Sequence, residues 1–340
     1  MSFPFEIQDV EPELNKQLLQ DFTGERTNFL QVGPKKYFLP SKYREQGPEI
    51  FNFKVRPDDV WIATYPRSGT TLMQEMLWLL ANDLDYKTGN EIPLVARAHF
   101  IEFGILVHDD LLAEILKLVE GDPERTKIAR EFAANRVPVL DEMPSPRVIK
   151  THLPFSLLPP NLLQTAKVVY VARNPKDMIV SFFHHNRLLR TQGYNKDFAR
   201  YWDYFEKDLL PWTPFWEHIK EAWELREEKN LLFLFYEDLV DDLPGCIKKV
   251  SDFLGKKMTA DDVHRLANHL HIDNFRKNPS TNLDAENLPG LRVQGEQDFI
   301  RKGKNGSWKE ELFTSELIAR ADKWISENMS QIPDFAFPTP

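Results

Sequence analysis

Residues 60–80 read VWIATYPRSGTTLMQEMLWLL and change their hydrophobic period in mid-stretch. Residues 59–65, DVWIATY, form a near-continuous apolar run, as expected of a buried strand. Across residues 70–82 the apolar positions recur at helical spacing. Leu72, Met76 and Leu80 share one face, with Met73 and Leu77 beside them. Between the two lies YPRSGTT. Gly69 permits a positive φ or the close approach of a ligand to the backbone. The N–H groups of residues 68–72 then converge at a helix N-terminus, where the dipole favours an anion. Ser68, Thr70 and Thr71 add hydroxyl donors, and Arg67 adds a positive charge. The G-x-x-x-x-G-K-[ST] spacing of a nucleoside triphosphate loop is missing. The loop alone also admits a plainer reading, in which Ser68 or Thr70 merely caps the helix.

Outward from this stretch, short apolar runs alternate with helical patterns. Further strands are expected at 147–150 (RVIK), 167–172 (KVVYVA) and 231–236 (LLFLFY). Helices are expected at 107–134 in two pieces broken near Gly121 and Pro123, and at 176–189, where Pro175 suits the first turn. Others are expected at 215–228, 244–254, 259–270 and 315–328. Residues 278–297 read as looser, and no repeat or low-complexity segment interrupts the chain. The pattern predicts an α/β fold over residues 1–340: a single domain with a central, mostly parallel sheet flanked by helices and a P-loop-like strand-loop-helix. Residues 1–58 are Pro-rich and read as an irregular segment packed on that domain, with a short helix at 11–20.

In such sheets ligands bind beyond the carboxyl ends of the strands. The segments there read PRSGTT, THLP, RNPKDMIVS and YEDL. Arg173 ends KVVYVA, and Ser181 follows on the next helix; a guanidinium and a hydroxyl suit one phosphate. Their alternative is an Arg173–Asp177 pair with Ser181 packed away. Lys150 ends RVIK and His152 follows two residues later, where a histidine can accept a proton near neutral pH. With nine histidines in the chain, residue type alone does not select His152. Residues 301–309, RKGKNGSWK, place two glycines among four cations, which suits either an anion nest or a solvated turn.

Composition narrows the classes further. The net charge of −9 offers no global attraction to nucleic acid or anionic membrane. The single cysteine, Cys246, excludes an internal disulfide framework and a cysteine-rich metal site. No signal peptide and no membrane span are expected, which suggests a cytoplasmic protein. No His, Cys or carboxylate cluster has metal-ligand spacing.

YPRSGTT, KTHLP, YVARNPKDMIVSFFH, LFLFYEDL and RKGKNGSW, in this order, resemble the motifs of the animal cytosolic sulfotransferases. The likeness runs over residues 61–308. It implies a donor, 3′-phosphoadenosine 5′-phosphosulfate (PAPS), whose product is 3′,5′-adenosine bisphosphate (PAP), and no metal. Arg67, Ser68, Gly69, Thr70 and Thr71 would hold the 5′-phosphosulfate. Arg173, Ser181, Arg301, Lys302 and Gly303 would hold the 3′-phosphate, and Tyr236 would contact the adenine. His152 would be the base, with Lys150 and Arg67 supporting the sulfuryl group. Phe100 and Phe103 fall where the family has aromatic walls for the acceptor, and His152 and His185 are placed with them. The implied acceptor is a hydroxyl of a small lipophilic molecule such as a phenol, steroid or retinoid-like alcohol.

The sequence departs from the family pattern at four positions. Arg67 stands where lysine is usual, so its role is expected to be electrostatic, since arginine does not readily give up a proton. Leu72 and Ile272 replace aromatic residues near the adenine, and His271 replaces a serine. Segment 309–320, KEELFTSELIAR, lacks the family's dimer motif, which leaves a monomer or weak homodimer. Two other functions remain compatible with the residues: a P-loop-like small-metabolite kinase and a non-catalytic nucleotide-binding member. A third outcome is a sulfate ester formed only to be eliminated.

Overall fold

The computed structural model describes residues 2–281 and 288–338. Residues 282–287, the middle of the stretch expected to be loose, lie outside the described residues. Among the described residues there are eight strands: β1 (Ile7–Asp9), β2 (Phe29–Val32), β3 (Tyr37–Pro40), β4 (Val60–Thr64), β5 (Ala98–Phe100), β6 (Val148–Thr151), β7 (Lys167–Ala172) and β8 (Leu231–Phe235). The last five form one sheet in the order β5-β6-β4-β7-β8, every pair parallel. In register, Ile62 lies opposite Lys150 on one side and Val169 on the other, so the carboxyl ends meet along one edge.

Side chains alternate across this sheet, and both faces are covered. Trp61, Ala63, Ile149, Val168 and Tyr170 enter one core, while Val60, Ile62, Val148, Val169 and Val171 enter the other. That two-sided burial is why the strands read as continuous apolar runs. Helix Thr70–Ala81 packs on the second core through Met73, Met76, Leu77 and Leu80. Helix Pro175–Leu188 starts at a proline, with the Asn174 side chain accepting from Lys176 N–H.

One expectation is corrected, and one strand was not expected. Residues 1–58 are not irregular: β1, β2 and β3 form an antiparallel meander, with the expected helix at Pro12–Asp21. Its strands are three or four residues long, too short to show a period. Phe38 of β3 exchanges backbone hydrogen bonds with Trp212 and Thr213, so the meander anchors a segment that reaches the site. The edge strand β5 was also unforeseen, because three residues, AHF, carry no alternation to read.

Candidate functional site

All five parallel strands deliver a residue to one edge: Phe100 from β5, Lys150 and His152 from β6, the Tyr65–Gly69 turn from β4, Arg173 from β7 and Tyr236 from β8. These residues, His152 and Phe100 included, border a single cavity of about 460 Å³, apart from buried Ser68 and Tyr65. That volume lies within the range of small-molecule sites.

The turn after β4 is tightly constrained. Arg67 and Gly69 have φ of 67° and 90°. A Cβ on Gly69 would stand 2.6 Å from Tyr236 Cδ2, so glycine is required both by the backbone and by the neighbouring ring. Thr70 Oγ1 lies 2.7 Å from Thr64 Oγ1. Arg67 Nε donates to Ser181 Oγ (3.0 Å) and Nη2 to the Phe299 carbonyl (2.8 Å), with the guanidinium 5.0 Å from the Phe299 ring centre. Arg173 Nη1 donates to the Arg67 carbonyl (2.8 Å), and its guanidinium stacks 4.1 Å over Tyr236. The expected Arg173–Ser181 neighbourhood is therefore organised through Arg67.

Several groups here await a ligand. Ser68 Oγ and Arg173 Nε are buried with no partner among the described residues. Burial, then repulsion from Arg173 and Arg301, pushes Arg67 down to about 9, still charged at neutral pH. Converging guanidinium groups and unpartnered donors suit a ligand with more than one anionic end.

The RKGKNGSWK segment closes the same cavity through Arg301, Lys302 and Gly303. Its cations are not free. Arg301 Nη2 donates to both Glu311 oxygens (2.8 and 2.6 Å), Lys302 also pairs with Glu311, and Lys304 with Glu310. The segment is moored by a residue that the motif reading passed over as a possible partner of Arg173. Asp177 accepts from Gly306 N–H (2.8 Å), Ser307 Oγ–H (3.0 Å) and Trp308 N–H (3.1 Å). Gly303 (φ 61°) leaves no room for a Cβ, which would meet Ile272 Cδ1 at 2.6 Å. Leu72, Ile272 and Tyr236 line the cavity; His271 lines it too but is exposed and lies 3.7 Å from Asp273.

On the other side, His152 is fixed from three directions. Its Nδ1 lies 2.8 Å from the Thr64 carbonyl, so Nδ1 carries the proton and Nε2 the lone pair. Its backbone N–H donates to Glu102 Oε1, and its carbonyl accepts from His218 Nε2 (2.9 Å). Phe100 and Trp212 stand edge-on to the ring at 5.0 and 5.3 Å. Burial, then the Lys150 charge, holds the imidazole well below its usual range, so it is neutral at pH 7. Burial lowers Lys150 to about 8, partly offset by Glu102, and its ammonium lies 4.1 Å from the Phe100 ring. Phe103 touches Phe100 (5.7 Å) and Phe132 (5.0 Å), and His185 lines the cavity one turn beyond Ser181.

Glu102, Asp177, Trp212 and His218 are the site residues the motif reading missed. Glu102 carried a signal, since it lies between Phe100 and Phe103 in HFIEF, and Asp177 stands inside RNPKDMIVS, where it was read only as a possible partner of Arg173. Trp212 and His218 act from distant parts of the chain.

A family profile described as Sulfotransferase domain matches residues 57–333. Luciferin sulfotransferase of Photinus pyralis is 31% identical over 323 residues, covering 93% of this chain and 83% of that protein. Sulfotransferase 4A1 of Homo sapiens is 32% identical over 87% of this chain and 91% of its own. Among solved structures, retinol dehydratase in complex with retinol and PAP overlays with a TM-score of 0.91 at 37% identity, covering 99% of this chain and 100% of that one. The strand-end residues, the anion-seeking turn and the profile spanning most of the sequence lead to one conclusion: the chain belongs to the sulfotransferase family.

Proposed function

We propose that residues 1–340 act as one sulfotransferase domain that moves a sulfuryl group from PAPS to a hydroxyl of a small lipophilic acceptor, with His152 as the base. When bound, PAPS supplies the sulfuryl group and the departing phosphate. The observation that carries the assignment is the His152 ring, held by the Thr64 carbonyl with a neutral Nε2, in the cavity that also contains Lys150 and the Arg67–Thr71 turn. Nε2 takes the hydroxyl proton as the acceptor oxygen attacks. The Lys150 ammonium and the Arg67 guanidinium stabilise the charge that builds at the reacting centre. Phe100, Phe103 and Trp212 exclude water and hold an apolar acceptor. The carboxyl-edge cations and the orphaned Ser68 Oγ suit the donor's two anionic ends.

Calorimetric titration with PAP in EDTA tests the donor site. Binding that is lost in Arg173→Ala supports it; no binding of PAP, with binding of ATP–Mg²⁺ instead, would return the kinase reading. PAP formation over a panel of phenols, steroids and retinoid-like alcohols then identifies the acceptor. We further propose a cytoplasmic monomer or weak homodimer; among the described residues no helix is long and apolar enough to cross a membrane.

A second reading has its own observation, the whole-chain overlay on retinol dehydratase at 37% identity. In it the acceptor is an allylic alcohol of the retinol kind, and the sulfate ester goes on to eliminate, giving net dehydration. Product analysis separates the readings: a stable ester supports transfer alone, an alkene supports elimination.

A further inference from the structure

The inference rests on that second reading and concerns the proton that elimination must remove. After transfer, His152 already carries the proton of the hydroxyl. A second base in the same cleft would remove the second proton without His152 first returning its own to solvent.

The cavity contains one. His185 follows Ser181 by one turn of helix Pro175–Leu188 and lines the cavity with Lys150 and His152. Asn186 Nδ2 donates to Tyr201 Oη, which leaves Asn186 Oδ1 to accept from His185 Nδ1 (3.4 Å). A proton on Nδ1 satisfies that contact and leaves the lone pair on Nε2. Nε2 has no protein partner among the described residues. Burial, then the Arg67 charge, holds this imidazole well below its usual range, so it too is neutral at pH 7. Phe299 and Phe182 lie 5.8 and 6.2 Å from its ring, and Phe100, Phe103 and Trp212 complete an aromatic wall. Aromatic faces favour positive charge, here that of an allylic cation.

We propose that His185 is the base of an elimination that follows sulfation, turning the sulfate ester of an allylic alcohol into a conjugated alkene. The C–O bond of the ester breaks, and both its electrons leave with sulfate. A C–H bond further along the conjugated chain breaks, its electron pair becomes the new C=C bond, and the proton goes to His185 Nε2. The products are the alkene, the sulfate dianion and an imidazolium. Arg67, which lies within electrostatic reach of His185, is placed to attract the leaving sulfate.

The test supplies retinol and PAPS to the full chain, to His185→Asn and to His185→Phe, and measures PAP, sulfate ester and alkene by chromatography. Solvolysis of the ester in buffer alone is subtracted. The readout is alkene per PAP, which is independent of how fast transfer runs. We expect this ratio to fall at least about tenfold in both variants, with ester accumulating, and added imidazole to raise it again in His185→Asn. An unchanged ratio in a folded variant would overturn the role of His185. A wild-type chain that forms PAP and a stable ester would overturn elimination while leaving sulfation standing. A wild-type chain that forms no PAP with retinol or any alcohol of the panel would remove the sulfotransferase reading itself.

Discussion

Replacing Asp177 by alanine should weaken donor binding although Asp177 is not placed against the donor. Its carboxylate accepts three hydrogen bonds from residues 306–308, next to the Arg301–Gly303 segment that closes the cavity. A hydrogen bond to an ionised group contributes about 1.5–3 kcal/mol. Gly306 and Trp308 are half-buried, so water can replace the carboxylate for their N–H groups; Ser307 is buried and has no such recourse. Counting the Ser307 bond in full and the others as rehydrated gives about 2 kcal/mol, which the donor must repay to close the segment. That corresponds to about a 30-fold rise in the Kd for PAP. Asp177→Asn, which keeps an acceptor oxygen, should lose less. Titration calorimetry with PAP is the assay, with Arg301→Ala and the Asp177→Ala/Arg301→Ala pair alongside. If Asp177 acts by seating the segment, the double variant binds little worse than the poorer single one. A change below about threefold in Asp177→Ala, or losses that simply add, would refute the reasoning.

Three more outcomes are expected. His152→Asn should lower turnover about 10²- to 10⁴-fold while PAP binding, measured by calorimetry, changes little. Lys150 contributes its charge only while protonated, and burial holds its pKa down to about 8. Turnover should therefore fall as pH rises through about 8, and Lys150→Arg, if active, should move that limb beyond the measurable range of a pH–rate profile. No limb should be seen between pH 6 and 7 from His152, because its depressed pKa keeps it neutral there. Leu72→Trp should tighten PAP by about 1–3 kcal/mol if the new ring stacks on the base, again read by calorimetry.

Much of the site was legible because its parts are local. The Arg67–Thr71 turn announces itself by a strand period giving way to a helix period across a glycine. Arg173 could be picked out because it ends an apolar run, whereas His152, two residues past RVIK, took its role from the family resemblance. The edge strand β5 and the N-terminal meander were not legible, since strands of three or four residues are too short to carry a period. The basic segment at 301–309 was left as either an anion nest or a solvated turn, and its counterions, Glu310 and Glu311, fall just beyond the motif.

The sequence by itself therefore determined the class of fold, the anion-binding turn and the order in which charged residues leave the strands. These follow from local periodicity and from backbone demands such as the left-handed conformation at Gly69. The tertiary structure alone decided what each group does. His152 owes its tautomer to the Thr64 carbonyl 88 residues away, and the glycine loop owes its position to Asp177 on another helix. The depressed pKa values of His152, Lys150 and His185 arise from burial together with nearby charges, that of Lys150 on His152 and that of Arg67 on Lys150 and His185. Such interactions depend on distance in space, which residue order does not encode until the five strand ends meet along one edge.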